Sequence, residues 1–207
     1  MKISLPKDPT SARVAVMLHG WTGDENSMWV FTNQLDEDWL LISPRAPYPS
    51  RGTSLGGFSW VDQRIDHWPL YTDFLASVEV LHIDLLELSR NFPDLDFSKL
   101  SIIGFSQGAA MGFVYSMVHS DRVKKLGLLA GFLPDNSEGY FQKRAGQPLD
   151  IFIGHGSLDN IVPVEKAYEG IELLRSAGLK PRSCITDVKH QLGSDCFKAL
   201  TSFLNQE

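Results

Sequence analysis

Six short apolar runs recur along this chain, each rich in β-branched residues or leucine, and none alternates with polar positions. They are "RVAVMLH" (13–19), "WLLISP" (39–44), "KLSIIGFS" (99–106), "KKLGLLAG" (124–131), "LDIFIGHG" (149–156) and "RSCITDV" (182–188). A strand covered on both faces has this pattern, because neither side of it meets water. "ISLP" (3–6) adds an edge strand. Between the runs lie stretches of helical period. Tyr71, Phe74, Leu75, Val78, Leu81, Leu85 and Leu88 predict a helix over 71–91, and "SQGAAMGFVYSMVHS" predicts one after the third run. Val164, Ala167, Tyr168, Ile171 and Leu174 share one face of a further helix that Gly178 stops. "SDCFKALTSFL" (194–204) closes the chain as a helix with a Ser/Asp cap. Strands alternating with helices predict an α/β fold: one mostly parallel central sheet with helices on both faces. Ligands in such sheets bind beyond the carboxyl ends of the strands.

At 207 residues, with no repeat and no low-complexity linker, the chain is expected to form a single domain over 1–207. Its 19 basic and 25 acidic residues, without basic runs, argue against a nucleic-acid partner. No apolar run reaches the roughly 18 residues of a membrane span, so no stable membrane insertion is expected. The N-terminus lacks the apolar core of a secretory signal, which makes the cytoplasm the default location. Cys184 and Cys196 are too few for a disulfide scaffold and too far apart for a Cys-x-x-Cys site, and they are expected as reduced, partly buried thiols, with one disulfide stapling the C-terminal loop between them as the alternative. No Cys/His cluster offers a metal site, and no cofactor is expected.

Two pentapeptides fit Gly-x-Ser-x-Gly: "GTSLG" (52–56) and "GFSQG" (104–108). A nucleophilic serine in an α/β sheet projects from a sharp strand-to-helix turn, which needs small neighbours. Ser106 has a strand before it and the small-residue helix "GAAMG" after it. Ser54 follows a proline-rich stretch that cannot be a central strand and precedes too much glycine for a helix. Ser106 is therefore the candidate nucleophile.

A serine hydroxyl needs a base, and the base an orienting acid; in this architecture the chain order is Ser, acid, His. Of six histidines, His190 in "DVKHQLGSD" stands in a loop after the last strand and is the candidate base. His155 is expected to pack under the loop that follows it. His82 and His119 lie on helices, and His67 lies in the long irregular segment 43–70. Asp159 in "GHGSLDNIVP" is the candidate acid, with Asp187 as its rival. The backbone N–H groups of Gln107 and Trp21 are the candidate oxyanion donors. Trp21, Phe58, Trp60, Phe132 and Leu133 are strand-end and loop residues suited to wall an apolar acyl pocket.

Together "MLHGWTGDE", "SPRAPYP…FSWVD", "GFSQGAAMG", "GHGSLDNIVP" and "VKHQLGSD" resemble the phospholipase/carboxylesterase family of small α/β hydrolases, which includes acyl-protein thioesterases and small bacterial carboxylesterases. The resemblance implies a hydrolase without a cap domain, with Ser106, Asp159 and His190 as the triad and Trp21 and Gln107 as backbone donors. The chain departs from the thioesterase pattern at Trp21, where leucine usually follows His-Gly. The expected substrate is a small or lipid-like acyl ester, with short to medium acyl chains. A thioester or lysophospholipid substrate for the same triad is the alternative. An idle α/β-hydrolase-fold binding module is a reading of another class, and an exposed aromatic loop is compatible with a homodimer.

Overall fold

A computed structural model describes all residues except 11, 36, 63–67, 145, 146 and 207. Strands β1 (Lys2–Ser4), β2 (Arg13–Leu18) and β3 (Trp39–Ser43) precede a two-stranded ribbon of β4 (Tyr48–Pro49) and β5 (Phe58–Ser59). Strands β6 (Leu100–Phe105), β7 (Val123–Leu129), β8 (Asp150–Gly156) and β9 (Arg182–Thr186) follow, separated by helices α1 (Leu75–Ser89), α2 (Gln107–Val118) and α3 (Val164–Ser176), and α4 (Ser194–Asn205) ends the chain. The seven-stranded sheet has the order β1-β3-β2-β6-β7-β8-β9. Its pairs are parallel except for β1, which runs antiparallel to β3.

The apolar runs have no polar alternation because each sheet face has its own core. On β2, Val14, Val16 and Leu18 join the side covered by α1, α2 and α3. Ala15 and Met17 point the other way, against Leu200, Phe203 and Leu204 of α4 and against Met28 and Phe31. The last two sit on a 3₁₀ segment, Ser27–Gln34, that the periodicity of the sequence does not mark. The expected helix over 71–91 divides into a 3₁₀ turn, Tyr71–Phe74, and α1. Gly178, at φ +83°, follows α3 as expected of a stop in the left-handed region.

Two expectations are corrected. The cap of α4 is Gly193, with no side-chain cap hydrogen bond, and Ser194 is already the first helical residue. A side chain at position 193 would collide with Thr186, its Cβ falling 2.4 Å from Oγ1. The cysteines are not free thiols: Cys184 on β9 and Cys196 on α4 form a disulfide. Packing of α4 along the sheet brings their Cα atoms to 5.4 Å, within bridging range. Sequence spacing alone cannot supply that proximity. The bridge closes the short loop carrying residues 187–193. Replacing both cysteines by alanine is expected to lower unfolding stability by about 3 kcal/mol in a urea titration, the chain-entropy value for a loop this short. An unchanged midpoint would show that the staple contributes nothing.

On the α1/α2 side, the rings of His82 and His119 stack with centroids 3.7 Å apart, and His82 Nδ1 lies 3.2 Å from the Tyr115 hydroxyl. Burial holds both imidazoles below their ordinary value. The nearby Arg122 pushes in the same direction, while Glu79 and Asp121 oppose it. His19, just after β2, is likewise lowered by burial. The unfolded chain therefore takes up protons near pH 6.5 before the folded chain does, and stability rises with pH through that window. The contribution is complete above about pH 6.5 and is lost as pH falls toward the lower folded values. Urea titrations from pH 7.5 to 5 should show a progressive loss of stability, with a shallower slope in the His82→Gln/His119→Gln variant. A flat profile for the unaltered chain would rule this out.

Candidate active site

Ser106 sits between β6 and α2 with φ 54° and ψ −119°, a conformation that costs a non-glycine residue about 1–3 kcal/mol. The turn is held from several sides. Ser106 N–H donates to the Leu129 carbonyl at 2.8 Å, and the Ser106 carbonyl accepts from Ala109 at 3.0 Å. The flanking glycines have a steric reason. A Cβ on Gly104 would lie 2.2 Å from the Gly108 oxygen, and one on Gly108 would lie 2.2 Å from the Leu18 oxygen. The start of α2 thus rests directly on the backbone of β2 and β6. Ser54, by contrast, is exposed on a bend between Gly52 and Gly56, both in the left-handed region, with no strand or helix beside it.

Asp159 lies in the loop after β8, with its side chain out of contact with solvent. Its Oδ1 accepts from the N–H groups of Ile161 and Val162 at 2.9 and 3.0 Å, and its Oδ2 accepts from His190 Nδ1 at 2.7 Å. Burial disfavours the charged carboxylate. The hydrogen bonds from His190, Ile161 and Val162 outweigh it, and the carboxyl lies below its usual range. Donation from Nδ1 leaves His190 Nε2 with its lone pair, the tautomer a base requires. The His190 ring packs 5.0 Å from that of Phe105, the residue before Ser106. Asp187, the rival acid, instead accepts from Ser157 Oγ at 2.5 Å.

His155 packs under the acid loop, as its position suggested. It is buried, and its Nε2 donates to the Val162 carbonyl at 2.8 Å while lying 3.4 Å from Asp159 Oδ2. Gly156 lets the two loops meet: a Cβ there would fall 2.2 Å from the Val188 oxygen. His67 falls outside the described residues.

The turn after β2 approaches Ser106 closely, since a Cβ on Gly20 would stand 3.3 Å from Ser106 Cβ. Neither the Trp21 N–H nor the Gln107 N–H donates to an acceptor among the described residues. A buried network anchors both. His19 Nδ1 donates to the Gly20 carbonyl at 2.8 Å, and its Nε2 accepts from Ala46 N–H at 3.1 Å. Trp60 Nε1 donates to the His19 carbonyl at 2.7 Å, and Gln107 Oε1 accepts from Trp60 N–H at 2.9 Å. Ser59 Oγ lies 3.2 Å from Gln107 Nε2 and donates to the Val61 carbonyl at 2.7 Å. Thr22 is held at φ 68° by donating to the Phe58 carbonyl at 3.0 Å. No motif in the sequence marks His19, Ser59 or the Gln107 side chain for this network. Their only signal was polar residues flanking apolar runs.

The five expected pocket residues, Trp21, Phe58, Trp60, Phe132 and Leu133, do not share one wall. Trp60 is a core residue, 1% exposed. The Phe58 ring lies against the Arg45 guanidinium, which is paired bidentately with Glu25 and holds that carboxyl down at about 2. Phe132 is buried edge-on to Trp68, and with Leu133 it lines a cleft of only about 10 Å³ beside α3. Leu133 also lines a cavity of about 710 Å³ between the segment after β7 and α3, and a further cavity of about 520 Å³ opens by the turn after β2, where Trp21, Phe105 and Gln191 contribute to its lining. No helix among the described residues is long and apolar enough to cross a membrane.

Comparison with known proteins places this architecture. The crystal structure of esterase PE8 superposes with a TM-score of 0.82 at 23% identity, covering 98% of this chain and 96% of that one. A Bacillus cereus carboxylesterase superposes with a TM-score of 0.78 at 19% identity, covering 98% and 91%. In sequence, the acyl-protein thioesterase 1 of Candida albicans is 29% identical over 196 residues, which is 86% of this chain and 84% of the relative. The family model described as phospholipase/carboxylesterase matches residues 1–207. The chain belongs to the phospholipase/carboxylesterase family.

Proposed function

We propose that this protein is a serine hydrolase that cleaves carboxylic esters through an acyl-enzyme. The observation that carries the reading is the buried Asp159 carboxylate bound to His190 Nδ1 at 2.7 Å, beside a serine held in a strained strand-to-helix turn. Membership of a family whose relatives are named as esterases and thioesterases supports the same chemistry.

In the proposed cycle, Ser106 Oγ attacks the substrate carbonyl carbon while its proton passes to His190 Nε2. The carbonyl π pair moves onto oxygen, where the N–H groups of Trp21 and Gln107 receive it. Asp159 stabilises the imidazolium and keeps the ring in its orientation. Collapse of the intermediate breaks the bond to the leaving group, which takes the proton from His190. Water then repeats the sequence on the acyl-enzyme, releasing the acid and restoring Ser106.

The preferred substrates are esters with short to medium acyl chains. A thioester substrate is the second reading, favoured by the name of the Candida albicans relative. Cytoplasmic residence, expected from the N-terminal residues, sits poorly with the Cys184–Cys196 disulfide, because cytosolic glutathione keeps thiols reduced. Alkylation of freshly isolated protein without reductant reads the thiol state directly.

A fluorophosphonate should label the peptide containing Ser106 and leave the Ser54 peptide unlabelled. Ser106→Ala and Asp159→Asn should each lower kcat by on the order of a thousandfold or more, the loss typical of a triad deprived of its nucleophile or its tautomer. Labelling at Ser54, or full activity of Ser106→Ala, would sink the assignment.

A further inference from the structure

Two imidazoles approach the Asp159 carboxylate. His190 Nδ1 donates to Oδ2 at 2.7 Å, and His155 Nε2 lies 3.4 Å from the same oxygen. The His190 side chain is 16% exposed, that of His155 is 1% exposed, and that of Asp159 is closed to solvent. The cycle proposed above uses only the first ring. The second stands at the next-to-last position of β8, opposite Ile185 of β9, where the acid loop begins.

His155 holds that loop at one residue. Its Nε2 lies 2.8 Å from the Val162 carbonyl, and a carbonyl only accepts, so Nε2 carries the ring proton. The Val162 N–H in turn donates to Asp159 Oδ1 at 3.0 Å, beside the Ile161 N–H at 2.9 Å. It is one of the donors that keep the buried carboxyl below its usual range. Both polar groups of Val162 are thus spent between two side chains: His155 holds its carbonyl, and its N–H holds Asp159. Val162 is itself buried, so a carbonyl deprived of the His155 donor would stand unpaired in the interior. His155 Nδ1 is buried with no partner among the described residues. An apolar ring would fill the same space without that cost, so the imidazole is accounted for only by its other nitrogen.

We infer that His155 is a positioning residue, which fixes the Asp159 carboxylate in the one orientation that meets His190, through Val162 and through its own Nε2–H. The inference rests on the hydrolase reading and adds a residue to the machinery of that site. Rotation about χ2 of an aspartate is soft, and its two oxygens exchange places readily. Here Ile161 and Val162 both engage Oδ1, which leaves Oδ2 to the two imidazoles. The orientation matters most when His190 takes up the proton and Asp159 must stabilise the cation.

His155→Phe keeps an aromatic ring and removes the N–H. Per site titrated by a fluorophosphonate, kcat and kcat/KM should fall together by about tenfold to a hundredfold, with KM little changed. His155→Gln carries an amide N–H close to where Nε2 stood and should recover most of the loss. His155→Asn, whose amide ends near the Nδ1 position, should not. The Gln and Asn pair decides the question if the Phe variant does not fold. A merely structural role gives fewer titratable sites, each with the native kcat. That result overturns the inference, and so does an equal kcat in the Gln and Asn variants.

A spectroscopic readout keeps this distinct from failure of the hydrolase reading. In protein with isotope-labelled histidine, the His190 Nδ1 proton should give a downfield resonance, assigned by its loss in His190→Gln. It should move upfield and broaden by exchange with water in His155→Phe and His155→Asn, and return in His155→Gln. An unmoved resonance in His155→Phe and His155→Asn overturns the positioning role whether or not the protein hydrolyses esters. A moved resonance in a protein that fails to label at Ser106 supports the positioning of Asp159 and removes the hydrolase reading.

Discussion

Helix α2 meets the sheet backbone to backbone, through positions where any side chain would intrude. Gly108 lies against the carbonyls of Leu18 and His19, and Gly104 against the carbonyl of Gly108. Those contacts place the helix N-terminus at the end of β6, and the chain can make so abrupt a passage only by forcing Ser106 to positive φ. The serine is thereby lifted out of the turn while its neighbours stay packed. The turn after β2 is set by the same contact, because Gly108 bears on its first carbonyls. Ser106, the candidate nucleophile, and the candidate oxyanion donors are thus positioned by one piece of packing.

Polar groups under the site are almost wholly paired, which is what burial demands of them. His19, Trp60, Ser59 and Gln107 pass hydrogen bonds between the turn after β2, the segment after β5 and the first turn of α2. Burial lowers the pKa of His19 and so favours its neutral form within the network. On the other side, Asp159 remains ionised in a dry setting because three N–H groups converge on it. The stiffness of both supports suits a site that must hold its donors before charge develops.

Much of this was legible in the residue order. Five of the six apolar runs form strands buried on both faces, while β9 at the sheet edge is exposed to half-buried, so "RSCITDV" is a strand but not one covered on both sides. The choice of Ser106 over Ser54 followed from their flanks, and the structure puts the first in a strained elbow and the second on an exposed bend. The errors share a cause. The reduced thiols and the Ser/Asp cap of α4 were both judged from local context. Each depended on what another element brought alongside. Trp60 sits in an aromatic-rich loop by sequence, yet its indole N–H finds the His19 carbonyl and its ring is drawn into the core.

The sequence by itself determined the strand–helix alternation, the site of the sharp turn and the chain order of serine, acid and histidine. These are consequences of periodicity, of glycine spacing and of where loops must fall. Only the tertiary structure decided that Cys184 and Cys196 bridge, that Asp159 rather than Asp187 faces His190, and that a cavity opens between Phe31, Phe197 and the turn after β2. Those outcomes turn on distances of a few ångströms between segments far apart in the chain, and side-chain packing, not residue order, sets such distances.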